Sequence, residues 1–217
     1  MKTDTQLKKD VSDELEWEPS INATNIGVAV HNGVVTLSGH IQTFAEKAAI
    51  ERVVQRIDGV KAMALELDVK LAPGHQRNDT EIAESARVAM QAQALVPADK
   101  ITMKVEHGWV TLNGEVEWDY QRTNAERTVH ALMGVVGVTN RITLKSRTVP
   151  SDVSNRIRDA LARQAEREAR NIDVSVSGST ATLRGSVHSW SERNAAQGAA
   201  WAAPGITMVV NEIRVSP

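Results

Sequence analysis

Histidine, carboxylate and hydroxyl side chains are the residues of this sequence that could carry out chemistry. The six histidines are scattered, and none forms the HExxH pattern or another spacing that brings several ligands to one metal. The chain has no glycine-rich phosphate loop, no GxSxG nucleophile turn and no cysteine. The sequence therefore predicts a protein that is not an enzyme, with no catalytic residue, no cofactor and no bound metal.

Aromatic side chains are more informative, because there are five tryptophans against one phenylalanine and one tyrosine. Most lie where a predicted strand leads into a predicted helix, and one lies on the predicted outer face of a sheet. Such a ring suits a lipid headgroup layer or a partner's pocket, but it also suits packing against the helix start. The candidate contact residues are Phe44, Trp109, Trp118, Tyr120 and Trp190. Trp17 and Trp201 are predicted to be core residues.

A stripe of arginines in the last third of the chain is a second candidate contact. It consists of Arg156, Arg163, Arg167 and Arg170. Helical spacing places these residues along one side of a helix, where they could meet anionic lipid. An acidic residue lies four positions before three of them, which is also the spacing of ordinary stabilising pairs on a helix surface. Both interpretations remain open at this point.

The aromatics recur at one position because the chain itself is repeated. One phrase occurs three times, as GVVTLSG at 33–39, GWVTLNG at 108–114 and STATLRG at 179–185. Apolar residues before and after the phrase recur at the same offsets, so each copy is a whole small module. The predicted modules span residues 1–71, 79–146 and 149–217.

Each module is predicted to begin with a helix. In the first module Leu7, Val11 and Leu15 are four residues apart and form one apolar stripe. Pro19 and Pro97 are predicted to end this helix in the first two modules. The predicted N-caps are Thr5, Thr80 and Ser151, or the aspartates beside them.

A hairpin is predicted next, since Asn32-Gly33 favours a tight turn with positive φ. This turn makes Val30 face Val35, and Val28 face Leu37, on the core side of the sheet. The glycine that opens the phrase serves the turn, and the glycine that closes it is predicted to end or bend the strand. These signature glycines are Gly33, Gly39, Gly108, Gly114 and Gly185.

A second helix and a third strand complete the module. Residues 43–46 and 189–192 match the capping box S/T-x-x-E, and the helix is predicted to run to a glycine. The last strand should return parallel through a right-handed crossover. The predicted fold class is α+β: three tandem small modules, each helix-strand-strand-helix-strand, with a three-stranded mixed sheet covered on one face by two helices.

Charge and hydrophobicity limit the partners. The net charge is −2, and counting basic against acidic residues gives −3, −2 and +1 for the three predicted modules, so none has the basic excess of a nucleic-acid binder. No apolar run approaches the roughly 18 residues of a transmembrane segment. Residues 1–17 lack the apolar centre of a secretory signal. This predicts a cytoplasmic protein, or a periplasmic one if the chain is a processed form.

The run LEWEPSINATNIGVAVHNGVVTLSGHIQT, residues 15–43, resembles the BON domain of osmotically inducible bacterial proteins. KITMKVEHGWVTLNGEVEW and IDVSVSGSTATLRGSV extend the resemblance to the second and third copies. It implies the fold described above and a non-catalytic role, because such domains are thought to attach to phospholipid surfaces or protein partners. One cytoplasmic relative binds potassium.

The function expected first is peripheral association with phospholipid in osmotic or envelope stress. The alternative is a soluble cytoplasmic scaffold, or an ion-responsive (potassium) module that binds proteins without lipid contact. A partner is thus expected to be a phospholipid surface or an envelope or stress protein. Self-association is a third possibility, since a small open sheet leaves strand edges that can pair with another chain.

Overall fold

The computed structural model describes residues 2–164 and 172–215. Within them one order of elements occurs three times: helix, strand, strand, helix, strand. The first module has α1 (Asp4–Trp17), β1 (Ile26–His31), β2 (Val34–Ile41), α2 (Phe44–Gln55) and β3 (Ala62–Val69). The second has α3 (Asp79–Ala92), β4 (Ile101–Glu106), β5 (Trp109–Val116), α4 (Asp119–His130) and β6 (Gly137–Leu144). The third has α5 (Val153–Gln164), β7 (Ile172–Ser177), β8 (Thr180–Val187), α6 (Trp190–Trp201) and β9 (Met208–Val215). The predicted α+β class is confirmed.

Each module contains one three-stranded mixed sheet with the second strand in the centre. In the first, β1 pairs antiparallel with β2, and β3 pairs parallel with β2. Val28 faces Leu37 and Val30 faces Val35, as the predicted turn required. The same register recurs in the other two hairpins. The hairpin prediction is therefore confirmed three times.

The core of each module lies between the sheet and its helices. In the first module Leu7, Val11 and Leu15 are all buried, which confirms the predicted apolar stripe of α1. Leu37 and Ile50 are fully buried on β2 and α2. Burial of such side chains stabilises each module by about 1.5–3 kcal/mol per residue.

Two predicted helix starts are wrong by two residues. The side chains of Thr3 and Asn78, not of Thr5 and Thr80, cap α1 and α3. The reason is the capping box: the N-cap side chain accepts a backbone N–H bond from Gln6 or Glu81, and that residue's side chain reaches back to the N-cap N–H at 2.9 Å. Asp4 and Asp79 are thereby left for another role.

Helix ends also differ from the predictions. Glu18, before Pro19, is the extended C-cap of α1 as expected, but α3 ends at Ala92, well before Pro97. The second helix of each module ends four residues short of the glycine predicted to stop it. Gly39 lies within β2, which continues to Ile41, so this glycine does not end the strand.

Contacts divide the chain into two compact units. One comprises Met1–Val116 with Tyr120–Thr143, and it holds the first module and most of the second. The other comprises Glu117–Asp119 with Leu144–Pro217, and it holds the third. In the part of the chain that the structure describes, no helix is both long and apolar enough to cross a membrane.

Candidate contact surfaces

Phe44, at the start of α2, is half-buried against the second module. Its ring meets the His130 ring edge-on, with centroids 4.7 Å apart and planes at 70°. His130 also lies 3.5 Å from Glu126, and this hydrogen bond is the main reason that the pKa of Glu126 is lowered. The Phe44 ring thus joins two modules, a role that the sequence did not reveal.

Trp118 and Trp190 occupy the corresponding corners of the other two modules, and each ring lies beneath an arginine. The Arg147 guanidinium carbon is 4.9 Å from the Trp118 ring centroid, and Arg147 also pairs with Glu117. The Arg193 guanidinium is 5.1 Å from the Trp190 centroid. Distances below about 6 Å are those of cation–π contacts. One face of each ring is therefore already occupied.

Trp109 lies across the outer face of its sheet with 48% of its surface exposed. Its Nε1 donates a hydrogen bond to Thr139 Oγ1 at 2.8 Å. Its ring covers Gly137 so closely that a Cβ on that glycine would lie 2.4 Å from it. One ring face and the N–H are thus engaged, whereas Tyr120, 49% exposed, lies at the surface.

The arginine stripe is described in part. Arg156 and Arg163 are exposed on α5, while Arg167 and Arg170 lie outside the described residues. Within the described part of α5, the predicted pairs of Asp152 with Arg156 and of Asp159 with Arg163 do not form; the ion pair found there joins Arg158 to Asp173 at 4.0 Å. Arg156 and Arg163 are therefore exposed, and neither has a carboxylate partner among the described residues.

The carboxylates of Asp4 and Asp79 bind hairpin turns. Asp4 accepts hydrogen bonds from the backbone N–H groups of Asn32 (2.7 Å) and Gly33 (3.0 Å). Asp79 accepts the equivalent pair in the second module, both at 2.8 Å. These bonds lower the pKa of both carboxyls. The largest contribution comes from the Asn32 N–H at Asp4 and from the Gly108 N–H at Asp79. Pro150 occupies this position in the third module, so it has no such carboxylate.

Acid should release these two turns. Because the folded-state pKa values lie below the unfolded one, the stabilisation is complete above about pH 4 and is lost as the pH falls through the folded values. The Asp4→Asn/Asp79→Asn variant should be less stable at neutral pH and lose less stability on acidification. Urea midpoints between about pH 7 and pH 2 measure this. Asp68→Asn/Asp99→Asn, a change of equal charge at exposed aspartates, should keep the parent profile; identical profiles for both double variants would contradict the role of the clamps.

Helix side chains cover strand edges in the third module. Arg158 donates to the Val174 carbonyl at 2.7 Å on edge strand β7. Arg193 donates to the carbonyls of Asn211 (3.0 Å) and Ile213 (3.1 Å) on the other edge strand, β9. The Asn211 side chain also accepts the Ile213 N–H at 3.1 Å. These groups are not available to pair with a strand of another chain.

Edge strand β6 of the second module has the same device, because Asn140 Oδ1 accepts the Ile142 N–H at 3.1 Å. In the first module Leu65 stands where Asn140 and Asn211 stand in the others, and leucine cannot accept a hydrogen bond. Self-association through sheet edges therefore stays a prediction that is strongest for β3.

An open depression of about 660 Å³ lies within the first compact unit, beside the turn that Asp79 binds. Its charged lining is largely engaged: Asp79 holds the turn, and Arg77 donates to the carbonyls of Gly74 and Gln76. Among the residues that the structure describes, no group of three or more His, Asp or Glu side chains is arranged to hold a metal ion.

Trp17 is not a core residue, contrary to the prediction from residue type. It is 82% exposed at the end of α1. Leu15, two positions earlier, is buried, and two residues correspond to about 200° around a helix, so Trp17 faces solvent. The stripe of Leu7, Val11 and Leu15 contained this signal. Trp201, also predicted to be a core residue, is only half-buried and packs against the edge of the third core.

These modules have the fold and repeat order of a known class of binding domain. The sequence profile of the BON domain matches residues 3–70, 78–146 and 151–217, so the chain belongs to the BON domain family. It is similar to osmotically-inducible protein Y of Escherichia coli (strain K12), at 27% identity over 146 residues, which cover 65% of this chain and 73% of that protein.

The chain is also similar to solved structures of CdsD, a structural protein of the type III secretion system of Chlamydia trachomatis. The match to its C-terminal domain has 16% identity, covers 100% of both chains and has a TM-score of 0.27. A second CdsD structure also matches at 16% identity, with 96% of this chain and 91% of that one covered and a TM-score of 0.26. Nothing about the present chain follows from scores this low.

Proposed function

We propose that this chain is a non-catalytic stress protein whose three BON modules associate peripherally with anionic phospholipid surfaces. The observation that carries the proposal is the pair of exposed arginines on α5, Arg156 and Arg163, which no carboxylate of the described helix neutralises. Near an anionic membrane each such cation contributes about 1 kcal/mol of binding energy. Membership of the BON family and the osmotic induction named in the Escherichia coli relative support the link to stress.

Three modules on one chain suit weak individual contacts. We place the divisions at 1–71, 79–146 and 149–217, in line with the family matches. If each module makes a weak contact, the linked contacts gain avidity, since the second and third act at a high effective concentration. The surface can be the cytoplasmic face of a membrane or, for a processed chain, the periplasmic face.

The aromatic corners favour a second candidate function. The rings at these corners already contact other side chains of the chain: a histidine ring at Phe44, and an arginine guanidinium at Trp118 and at Trp190. These contacts make the rings less suited to insertion among lipid headgroups. This supports the alternative of a scaffold, or an ion-responsive (potassium) module, that binds proteins without lipid contact. Tyr120 and the outer face of Trp109 remain available in either case.

Vesicle sedimentation tests the lipid proposal. The chain should bind vesicles of anionic phospholipid more tightly than zwitterionic ones, and more weakly as salt increases. Arg156→Gln/Arg163→Gln should weaken binding to anionic vesicles about 25-fold at low salt, because two cations near the surface contribute roughly 2 kcal/mol.

The control is Arg127→Gln/Arg141→Gln, which removes the same charge from exposed positions in the second module. If both double variants weaken binding equally, net charge and not the α5 stripe attracts the membrane. Absence of binding to every vesicle composition would reject the lipid proposal and leave the protein-binding alternative.

A further inference from the structure

The last turn of α1 presents an exposed indole that the lipid proposal does not use. Trp17 is 82% exposed, more than the other large hydrophobic residues on the described surface. In the described part of the chain no ring, cation or hydrogen-bonding group contacts it. An indole left in water at a helix end offers apolar area and a π face to a partner.

The last turn of α1, which carries Trp17, is acidic, and Arg56 lies beside the next carboxylate along the chain, 4.0 Å from Glu18. Glu14 and Glu16 are exposed in the same turn, and the last turn of α1 has no basic residue. The C-terminal end of a helix carries partial negative charge, so carboxylates there are disfavoured and cations are preferred. Proteins break local rules of this kind at functional sites and compensate for them elsewhere. A cationic partner would relieve the repulsion, whereas an anionic lipid surface would increase it.

The chain itself shows which cation suits this chemistry. The dipeptide Glu16-Trp17 recurs as Glu117-Trp118. There Arg147 pairs with the carboxylate and lies over the ring, 4.9 Å from its centroid. Arg193 over Trp190 is a second guanidinium–indole contact. Glu16 and Trp17 have the same two recognition groups, and no arginine of the described residues contacts either of them.

We propose that Glu14, Glu16 and Trp17 form a docking surface for an arginine-bearing segment of a protein partner. The guanidinium stacks on the Trp17 ring, and its N–H groups donate to the Glu16 or Glu14 carboxylate. Arginine is favoured over lysine because its planar fork stacks on aromatic faces and binds carboxylates at two points. Trp17 belongs to the first module and the α5 arginines belong to the third, so lipid and a partner would be engaged by different modules.

Binding of synthetic peptides tests the proposal. The probe is a fluorescein-labelled helical peptide with arginines at i, i+4 and i+7. Its binding to the full chain is measured by fluorescence anisotropy. Its comparators carry lysine or citrulline at these positions; citrulline keeps the shape without the charge. The arginine peptide should bind most tightly, in a salt-dependent way, and the citrulline peptide least. Trp17→Ala should lower its affinity about two- to five-fold, the range of an exposed cation–π contact.

Glu14→Gln/Glu16→Gln should also weaken binding and reduce its salt dependence. The controls are Leu95→Ala, which removes another exposed apolar side chain, and Glu115→Gln, which removes another exposed carboxylate; both should bind like the parent. Equal affinity for the arginine and citrulline peptides, or unchanged affinity in the Trp17 variant, would overturn the proposal.

Analytical sedimentation of the protein without peptide tests whether a second copy of the chain occupies this surface. A monomer supports the proposal, whereas a dimer that Trp17→Ala dissociates would assign the surface to a second copy and overturn it. Vesicle binding by Trp17→Ala should equal that of the parent. Failure of the lipid proposal and failure of this one are therefore seen in different experiments.

Discussion

Replacement of Gly39 by alanine is expected to destabilise the first module by about 3–5 kcal/mol. Gly39 has a φ of 130°, and a Cβ there would lie 2.0 Å from the carbonyl oxygen of Asn25. That oxygen belongs to the backbone, so it cannot rotate away, and the alanine would force β2 away from the segment before β1. A loss of this size is a large share of the 5–15 kcal/mol that holds a typical domain together.

Gly27→Ala is the matched control. Gly27 faces Ser38 in the adjacent pair of the same hairpin, and a Cβ there would lie 3.1 Å from the Ser38 hydroxyl, which can rotate. Its cost should be below about 1 kcal/mol. Urea unfolding followed by circular dichroism measures both variants. Similar midpoints for the two would show that the close approach of Gly39 to Asn25 does not constrain the protein in solution.

The closing glycine shows what a repeated sequence predicts and what it does not. The repeat showed that Gly39 and Gly114 belong to the hairpin, and the alternation of apolar residues gave its register. These positions require glycine because a backbone carbonyl of the preceding turn lies too close for a side chain. A Cβ on Gly39 would lie 2.0 Å from the Asn25 oxygen, and a Cβ on Gly114 would lie 2.2 Å from the Lys100 oxygen. Backbone packing of that kind leaves no pattern in composition or periodicity.

The sequence predicts where the candidate contact residues lie, but not which residues of the chain they contact. The spacing of the aromatics placed Trp118 and Trp190 at one corner of their modules. Arg193 lies three residues after Trp190 on the same helix, so helical spacing is enough to predict their contact. The Arg147 contact comes from beyond the end of a strand, so helical spacing does not predict it. The residue type of Trp17 favours burial, whereas its position about 200° around α1 from Leu15 predicts exposure, and the position on the helix decides the outcome.

The caps illustrate a competition between residues that the sequence left open. Asp4 was a plausible N-cap, but Thr3 with Gln6 forms a reciprocal capping box, so Asp4 is free to bind the hairpin turn 28 residues later. Glu46, three residues after its N-cap, bonds to the N–H groups of Asn22 (2.7 Å) and Gln42 (3.0 Å). It thus ties α2 to preceding loops, a long-range use of a residue that local pattern assigned to the cap alone.

The third module is expected to unfold before the other two. Five alanines stand in its buried core: Ala181, Ala196, Ala199, Ala200 and Ala203. In the first module Ile50 occupies the α2 position that Ala196 occupies on α6, and Ile50 is fully buried. Each buried methylene contributes about 0.8 kcal/mol, so the alanine-rich core is the weaker one. The third module also lacks the aspartate clamp on its turn.

Equivalent core variants separate the two compact units. Leu37 and Leu183 occupy the same place in their sheets, and both are fully buried. Each change to alanine should remove about 2–5 kcal/mol, which for a domain of this size lowers its melting temperature by roughly 10 °C or more. In calorimetry Leu183→Ala should shift only the first transition, and Leu37→Ala should shift only a later one. A single transition that both variants lower equally would mean that the modules unfold together and that the alanine-rich core is not the weaker one.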